Sequence, residues 1–221
     1  LLKESNKSRA KKIIQKSNIS TADFFTTEPE EHESEKSLPI MFPLFVKPIT
    51  GGDSRGIDRN SIVHNYLSYK KKVLEIKKNQ NSRCLVEKYL SGKEYSVGIF
   101  KDNMTGSFEV MPIEIVVKKN INGNHILDFD VKKNDEEKVI AVLNVKIFDQ
   151  LSILAKKSFI ALKGKSFGRI DFKMDNLGNL YFIEANLMPG LRKGYFYRSC
   201  LLNLNINYEE MILKITANGL H

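Results

Sequence analysis

Between Gly168 and Gly190 the chain reads GRIDFKMDNLGNLYFIEANLMPG. Residues 169–175 alternate charged and apolar side chains, residues 180–186 do so less strictly, and Asn176-Leu177-Gly178-Asn179 between them has the composition of a turn. This pattern predicts a β-hairpin. A four-residue loop would set Asp175 against Leu180, Asp171 against Glu184 and Arg169 against Asn186. Ile170, Phe172, Met174, Ile183 and Ala185 then form an apolar face, and the polar groups share the other. Two carboxylates packed beside an amide and a guanidinium repel or stay unsatisfied unless a cation lies between the acids. Oxygen ligands from Asp171, Glu184 and Asn186 suit a hard divalent ion such as Mg²⁺, which keeps waters and shares its sites with nucleotide phosphates. The alternative is a solvated hairpin face. Met188-Pro189-Gly190, leaving the strand sharply beyond Asn186 as a substrate loop would, favours the metal reading.

GRIDFKMDNLGNLYFIEANLMPGL resembles the metal-binding hairpin of the ATP-grasp enzymes, in particular the D-alanine:D-alanine ligase branch. The resemblance implies an α+β ATP-grasp fold: two lobes, each an antiparallel sheet with packed helices, and the nucleotide between them. It divides the chain into an entry helix and linker (1–20), a small lobe with a glycine-rich loop (21–90) and a large lobe carrying the hairpin (91–221). The family places a further α/β domain of roughly a hundred residues ahead of this region. The expectation is that this domain is absent here, so that the resemblance covers the chain but about two-thirds of an enzyme.

Composition bounds the other possibilities. With 221 residues and 42% hydrophobic content the chain can bury a core. It has no run of about 18 apolar residues to span a membrane. Cys84 and Cys200 are far apart and read as core thiols, which suits a reducing cytosol and makes the cytoplasm the expected location; the start does not resemble a signal peptide, and Leu1, not an initiator Met, suggests a fragment of a longer chain. A net charge of +9 raises nucleic acid as a partner, but the lysines fall in helical runs such as Lys70-Lys71-Lys72, where a solvated face is the default. No aromatic residues are interleaved with the basic runs, which argues against nucleic-acid binding.

In chain order, residues 5–17 predict a basic helix leading into a short strand at 19–25, and 28–39 a charged loop. Pro43-Leu44-Phe45-Val46-Lys47-Pro48 reads as a strand ending in a lysine, and three glycines lie within residues 51–56, where a backbone can approach a phosphate closely. Residues 61–79 and 143–162 predict amphipathic helices, 83–90, 93–100 and 106–117 strands, and 208–216 a last helix. On the resemblance, Lys7, Lys47, Gly51, Gly52, Ser54 and Gly56 bind ATP phosphates, Glu87, Lys88 and the Leu90 backbone lie at the adenine, and Glu94 accepts from the ribose hydroxyls. Lys132 takes the place of a lysine that touches the transferred phosphate, and Lys133 replaces the tyrosine that follows it.

The implied chemistry is ATP-dependent ligation of a carboxylate to an amine through an acyl phosphate, ADP-forming, with an amino acid or small peptide as substrate. Mg²⁺, one or two ions, is the implied metal and Mn²⁺ the alternative, while Arg169 and Lys132 are the catalytic cations. A homodimer is compatible with this reading. The competing class is a non-catalytic ATP-binding module. After Gly190 the family carries small hydroxyl residues, whereas this chain reads Leu191-Arg192-Lys193-Gly194-Tyr195-Phe196-Tyr197. Gly190, Arg192, Lys193 and Tyr195 either bind a substrate larger and more acidic than D-alanine or seal an interface.

Overall fold

A computed structural model of the chain describes residues 6–51, 54, 56–117 and 137–219. They divide into two compact units. One gathers the described residues within 1–9, 22–91 and 117–137, the other those within 10–21, 92–116 and 138–221. Helix α1 (Lys7–Lys16) begins in the first and ends in the second.

The first unit is built on a four-stranded antiparallel sheet of order β1-β4-β2-β3, with β1 Phe24–Thr27, β2 Leu44–Pro48, β3 Ile62–Val63 and β4 Cys84–Lys88. Leu44, Val46, Val63, Cys84 and Val86 point to one face and pack against Tyr69, Val73 and Ile76 of α2 (Tyr66–Gln80). The predicted helix over 61–79 starts later than its apolar spacing indicates. Asn65 caps α2 by accepting from the Ser68 amide at 2.9 Å, which leaves the β-branched pair Ile62-Val63 free to hydrogen-bond to β2 instead. The predicted strand at 19–25 also begins later, at Phe24. Lys72, assigned to a solvated run, is instead buried and paired with Asp58 and Glu75 at 2.9 Å each.

The second unit holds a five-stranded antiparallel sheet of order β7-β6-β5-β8-β9: β5 Glu94–Lys101, β6 Phe108–Val116, β7 Lys138–Ala141, β8 Phe167–Met174 and β9 Leu180–Asn186. Its helices are α3 (Val145–Ala161), α4 (Tyr195–Leu204) and α5 (Tyr208–Gly219). Alternation sends Tyr95, Val97, Ile99, Ile170, Phe172, Met174 and Phe182 to one face, where Leu151, Ala155 and Phe159 of α3 and Ile14 of α1 cover them. On the opposite face Phe100 and Met111 pack with Phe196 and Cys200 of α4 and Met211 of α5. Gly98 lets α4 approach, since a Cβ there would lie 2.9 Å from the Ser199 Cβ. Beside Ile113 and Ile115 of β6, the same face carries polar residues from Glu94 and Ser96 of β5 through Asp171 of β8 to Asn186 of β9. Helix α4 has no counterpart among the elements the sequence predicts.

Candidate functional site

The β8–β9 hairpin brings Asp171 opposite Glu184 and Arg169 opposite Asn186, as the alternation predicts, but by a different route. The turn takes up one residue more than expected, so Met174, not Asp175, faces Leu180. Asp175 is drawn into the turn because its carboxylate accepts from the amides of Leu177 and Asn179 at 2.9 Å each. That register would carry Ile183 opposite Asp171. A β-bulge between the Phe172 and Asp171 pairs takes Ile183 out of step, and beyond it Glu184 and Asn186 return to the face of Asp171. Phe182, rather than the expected Ile183, therefore supplies the buried core side chain of this strand.

Asp171 is the centre of the polar face. Arg169 Nε donates to its Oδ1 at 3.0 Å and Arg169 Nη2 to its Oδ2 at 2.9 Å, while the buried Ser96 hydroxyl donates to Oδ1 at 2.7 Å. Arg169 Nη2 also lies 3.9 Å from Glu184 Oε1, and the guanidinium sits 5.6 Å from the centre of the Tyr195 ring. Burial pushes the Asp171 carboxyl above the ordinary aspartate range, and the Glu184 charge adds to this against the pull of Arg169 and Ser96. For Arg169, burial disfavours the charge, but Asp171 and Glu184 outweigh it and raise the pKa. Asn186 Oδ1 accepts from the Met188 amide at 3.1 Å, which fixes the start of the turn-out. Further along the same face Lys173 Nζ donates to Glu94 Oε2 at 3.0 Å.

No group of three or more His, Cys, Asp and Glu side chains able to hold a metal occurs among the described residues. The set Asp171, Glu184 and Asn186 is two carboxylates and an amide, all hard oxygen donors on one face, and so fits a Mg²⁺ that retains water ligands. The upward push of Glu184 on Asp171 is a repulsion that a divalent cation would reverse.

In the first unit Lys47 and Glu87 form a buried ion pair across β2 and β4, with Nζ 2.5 Å from Oε2. Lys88, although adjacent, lies on the other face of β4 and donates to the carbonyls of Met41 and Phe42 at 3.2 Å each. Lys7 Nζ donates to the carbonyl of Gly51 at 2.6 Å, at the mouth of the glycine-rich stretch. There Gly51, Ser54 and Gly56 all have positive φ, at 92°, 56° and 76°. Leu90 follows β4. Gly52 and Lys132 lie outside the described residues.

The family model for the D-ala D-ala ligase C-terminus matches residues 13–217. The chain belongs to this family. It is 28% identical over 222 residues to D-alanine–D-alanine ligase B of Clostridium perfringens, an alignment that covers 98% of the chain and 68% of that protein. Its fold is that of the D-alanine–D-alanine ligase of Bacillus anthracis, solved with ATP (TM-score 0.76, 22% identity, 99% of this chain and 66% of that one), and of the VanG D-Ala:D-Ser ligase of Enterococcus faecalis (TM-score 0.76, 19% identity, 98% and 62%). The chain thus spans about two-thirds of the length of these relatives. Both sheets with their helices are the ATP-grasp architecture of the D-alanine–D-alanine ligases.

Within this member of the D-alanine–D-alanine ligase C-terminal family, the residues after Gly190 have different surroundings from one another. Tyr195 opens α4 and meets Arg169, Phe196 is core, and Tyr197 packs edge-on against Tyr208. Arg192 and Lys193 are exposed, and the Lys193 ammonium lies 6.0 Å from the Tyr208 ring centre. Sequence reasoning missed Ser96 and Lys173. Ser96 reaches the face from β5, a strand next to β8 in space but distant in sequence, so only the sheet order could have found it, whereas Lys173 shares the alternation of Arg169 and Asp171 on β8 and only its partner Glu94 needed the sheet order. Cys84 and Cys200 are buried thiols, as expected. Among the described residues no helix is long and apolar enough to cross a membrane.

Proposed function

We propose that this chain is the ATP-binding region of an ADP-forming ligase that joins a carboxylate to an amine. The observation that carries the reading is the opposition of Asp171 and Glu184, with Arg169 across from Asn186 on the same face. The Bacillus anthracis ligase whose fold the chain shares was solved with ATP, which supports a nucleotide as the shared ligand.

Asp171, Glu184 and Asn186 would hold Mg²⁺, with Mn²⁺ the alternative, and the bound ion offsets the charge of the ATP phosphates. Arg169 orients the Asp171 carboxylate through two hydrogen bonds and holds positive charge next to it, where it would stabilise an oxyanion developing on the substrate carboxyl carbon. Lys47 and Lys7 are the cations for phosphate in the first unit, the former kept in place by Glu87. Gly51, Gly52, Ser54 and Gly56 would offer backbone N–H groups, and Lys132 would meet the transferred phosphoryl group. Glu87 would serve the base through its carboxylate, Lys88 and Leu90 through their backbone, and Glu94 would serve the ribose. Each substrate would be an amino acid or short peptide. Exposed Arg192 and Lys193, with Tyr195 and Gly190 at the exit from the hairpin, favour a substrate with an additional carboxylate over D-alanine alone.

Calorimetric titration of ATP into the chain with and without Mg²⁺, repeated on Glu184→Gln, tests the reading. Magnesium-dependent binding that disappears in the variant is the expected result, followed by phosphate release when D-alanine or acidic amino acids and dipeptides are supplied. Equal ATP binding with and without Mg²⁺, unchanged in Glu184→Gln, would sink it.

A further inference from the structure

Successive rungs of the β5–β8 ladder cross the polar face: Gly98 opposite Arg169, Ser96 opposite Asp171, and Glu94 opposite Lys173. The Asp171 rung belongs to the candidate metal centre, with the Ser96 hydroxyl donating to Asp171 Oδ1 at 2.7 Å. Alternation places the next rung about 7 Å further along the strand. It pairs a lysine with the carboxylate assigned to the ribose hydroxyls.

Lys173 Nζ donates to Glu94 Oε2 at 3.0 Å, and the two side chains are only 11% and 19% exposed. Shielded this far from water, the two charges hold each other better than the partners of a surface ion pair, whose long side chains part easily. The other flank of Glu94 offers no substitute, because its neighbour across β5 on β6 is Ile115, buried and apolar. Glu94 also opens β5. A glutamate side chain is rich in rotamers, and a contact that fixes it before the ligand arrives spares the ligand that cost. One hydrogen bond does not exhaust the acceptor: a carboxylate has about four lone-pair sites, so the ammonium leaves capacity for both hydroxyls of a vicinal diol.

We propose that Lys173 is a positioning residue for ribose recognition, holding the Glu94 carboxylate through Oε2 in the orientation that accepts from the two hydroxyls. This rests on the assignment of Glu94 to the ribose made above and adds to it the group that makes Glu94 selective. Lys173 itself need not touch the nucleotide.

The test is a ratio. Calorimetric Kd values for ATP and for 2′,3′-dideoxy-ATP, both with Mg²⁺, are measured on the native chain, Lys173→Met, Lys173→Arg, Glu94→Ala and the double variant Lys173→Met with Glu94→Ala. The native chain should prefer ATP by about tenfold or more, the worth of a hydrogen bond to a charged group. Glu94→Ala should bring the ratio close to one. Lys173→Met should lower it about fivefold by weakening ATP while leaving dideoxy-ATP nearly unchanged, and Lys173→Arg, which still donates to the carboxylate, should keep most of it. In the Glu94→Ala background, Lys173→Met should change nothing further. If Lys173→Met does not fold, Lys173→Gln, neutral and shorter, takes its place with the same expected direction.

A lysine that only supports the sheet would weaken both nucleotides alike. An unmoved ratio in Lys173→Met, beside a ratio that collapses in Glu94→Ala, therefore overturns the role of Lys173 and leaves the ribose assignment standing. No ATP binding, a native ratio near one, or a ratio indifferent to Glu94→Ala overturns that assignment, and the role of Lys173 with it.

Discussion

Glu87 and Lys88 are consecutive residues that act on opposite faces of β4: Glu87 pairs with Lys47 in the interior, and Lys88 ties down the carbonyls of Met41 and Phe42. Strand alternation forces this separation, so the two cannot serve one patch of a ligand through their side chains in the arrangement seen.

Removing one partner of the buried pair should therefore be far costlier than removing Lys88. Lys47→Met leaves Glu87 buried without its cation and is expected to cost about 3–5 kcal/mol, whereas Lys47→Met with Glu87→Met should recover most of that loss. Lys88→Met is expected to cost about 1 kcal/mol. Urea denaturation of the three variants checks the order.

Gly51 and Gly56 both have positive φ, but their surroundings differ. A Cβ at Gly51 meets open space, while one at Gly56 would lie 2.1 Å from Gln80 Nε2 and 2.7 Å from Pro48 Cγ. Gly51→Ala should carry only the backbone strain, about 1 kcal/mol. Gly56→Ala should cost more, and adding Gln80→Ala should relieve only part of it because Pro48 remains. Thermal melts of the variants separate the two contributions.

Arg169 engages both oxygens of Asp171 through two different nitrogens, a geometry that a lysine cannot copy. With substrates that give turnover, Arg169→Lys is expected to lower kcat about 100-fold or more with little change in the KM for ATP. Steady-state ADP release measures both. A fall in ATP affinity with kcat intact would instead make Arg169 a binding residue.

The two thiols give a pH dependence of defined sign. Burial pushes both Cys84 and Cys200 from 9.0 up to about 12. Their folded pKa lies above the unfolded one, so the stability they contribute is fully present below pH 9 and is lost as pH rises from there toward 12. Stability measured by urea denaturation should decline over that window, and more shallowly in Cys84→Ala. At pH 8, alkylation by iodoacetamide should follow global unfolding.

The hairpin was legible because its information is local: alternation and a turn composition within about twenty residues. Its bulge was not, since neither the pull of Asp175 into the turn nor the extra residue at Ile183 that offsets it leaves a mark in the alternation. Helix α4 was hidden by Arg192-Lys193-Gly194 ahead of it, with a glycine rather than a side-chain cap, and by aromatic residues spread around its first turn. Lys11 and Lys72 look in sequence like any lysine of a basic run; only the acceptors brought to them by tertiary structure, Thr21 with Phe182 and Asp58 with Glu75, reveal them as interior groups.

Because the register is reset at Ile183, the tip of the hairpin and its carboxylates keep separate counts of residues. The tip is exposed at Leu177 and unobstructed around Gly178. It is therefore a natural graft point: a reporter peptide or a labelling tag spliced between Asn176 and Asn179 should ride on the end of β8 and β9 and leave the opposition of Asp171 and Glu184 where it is.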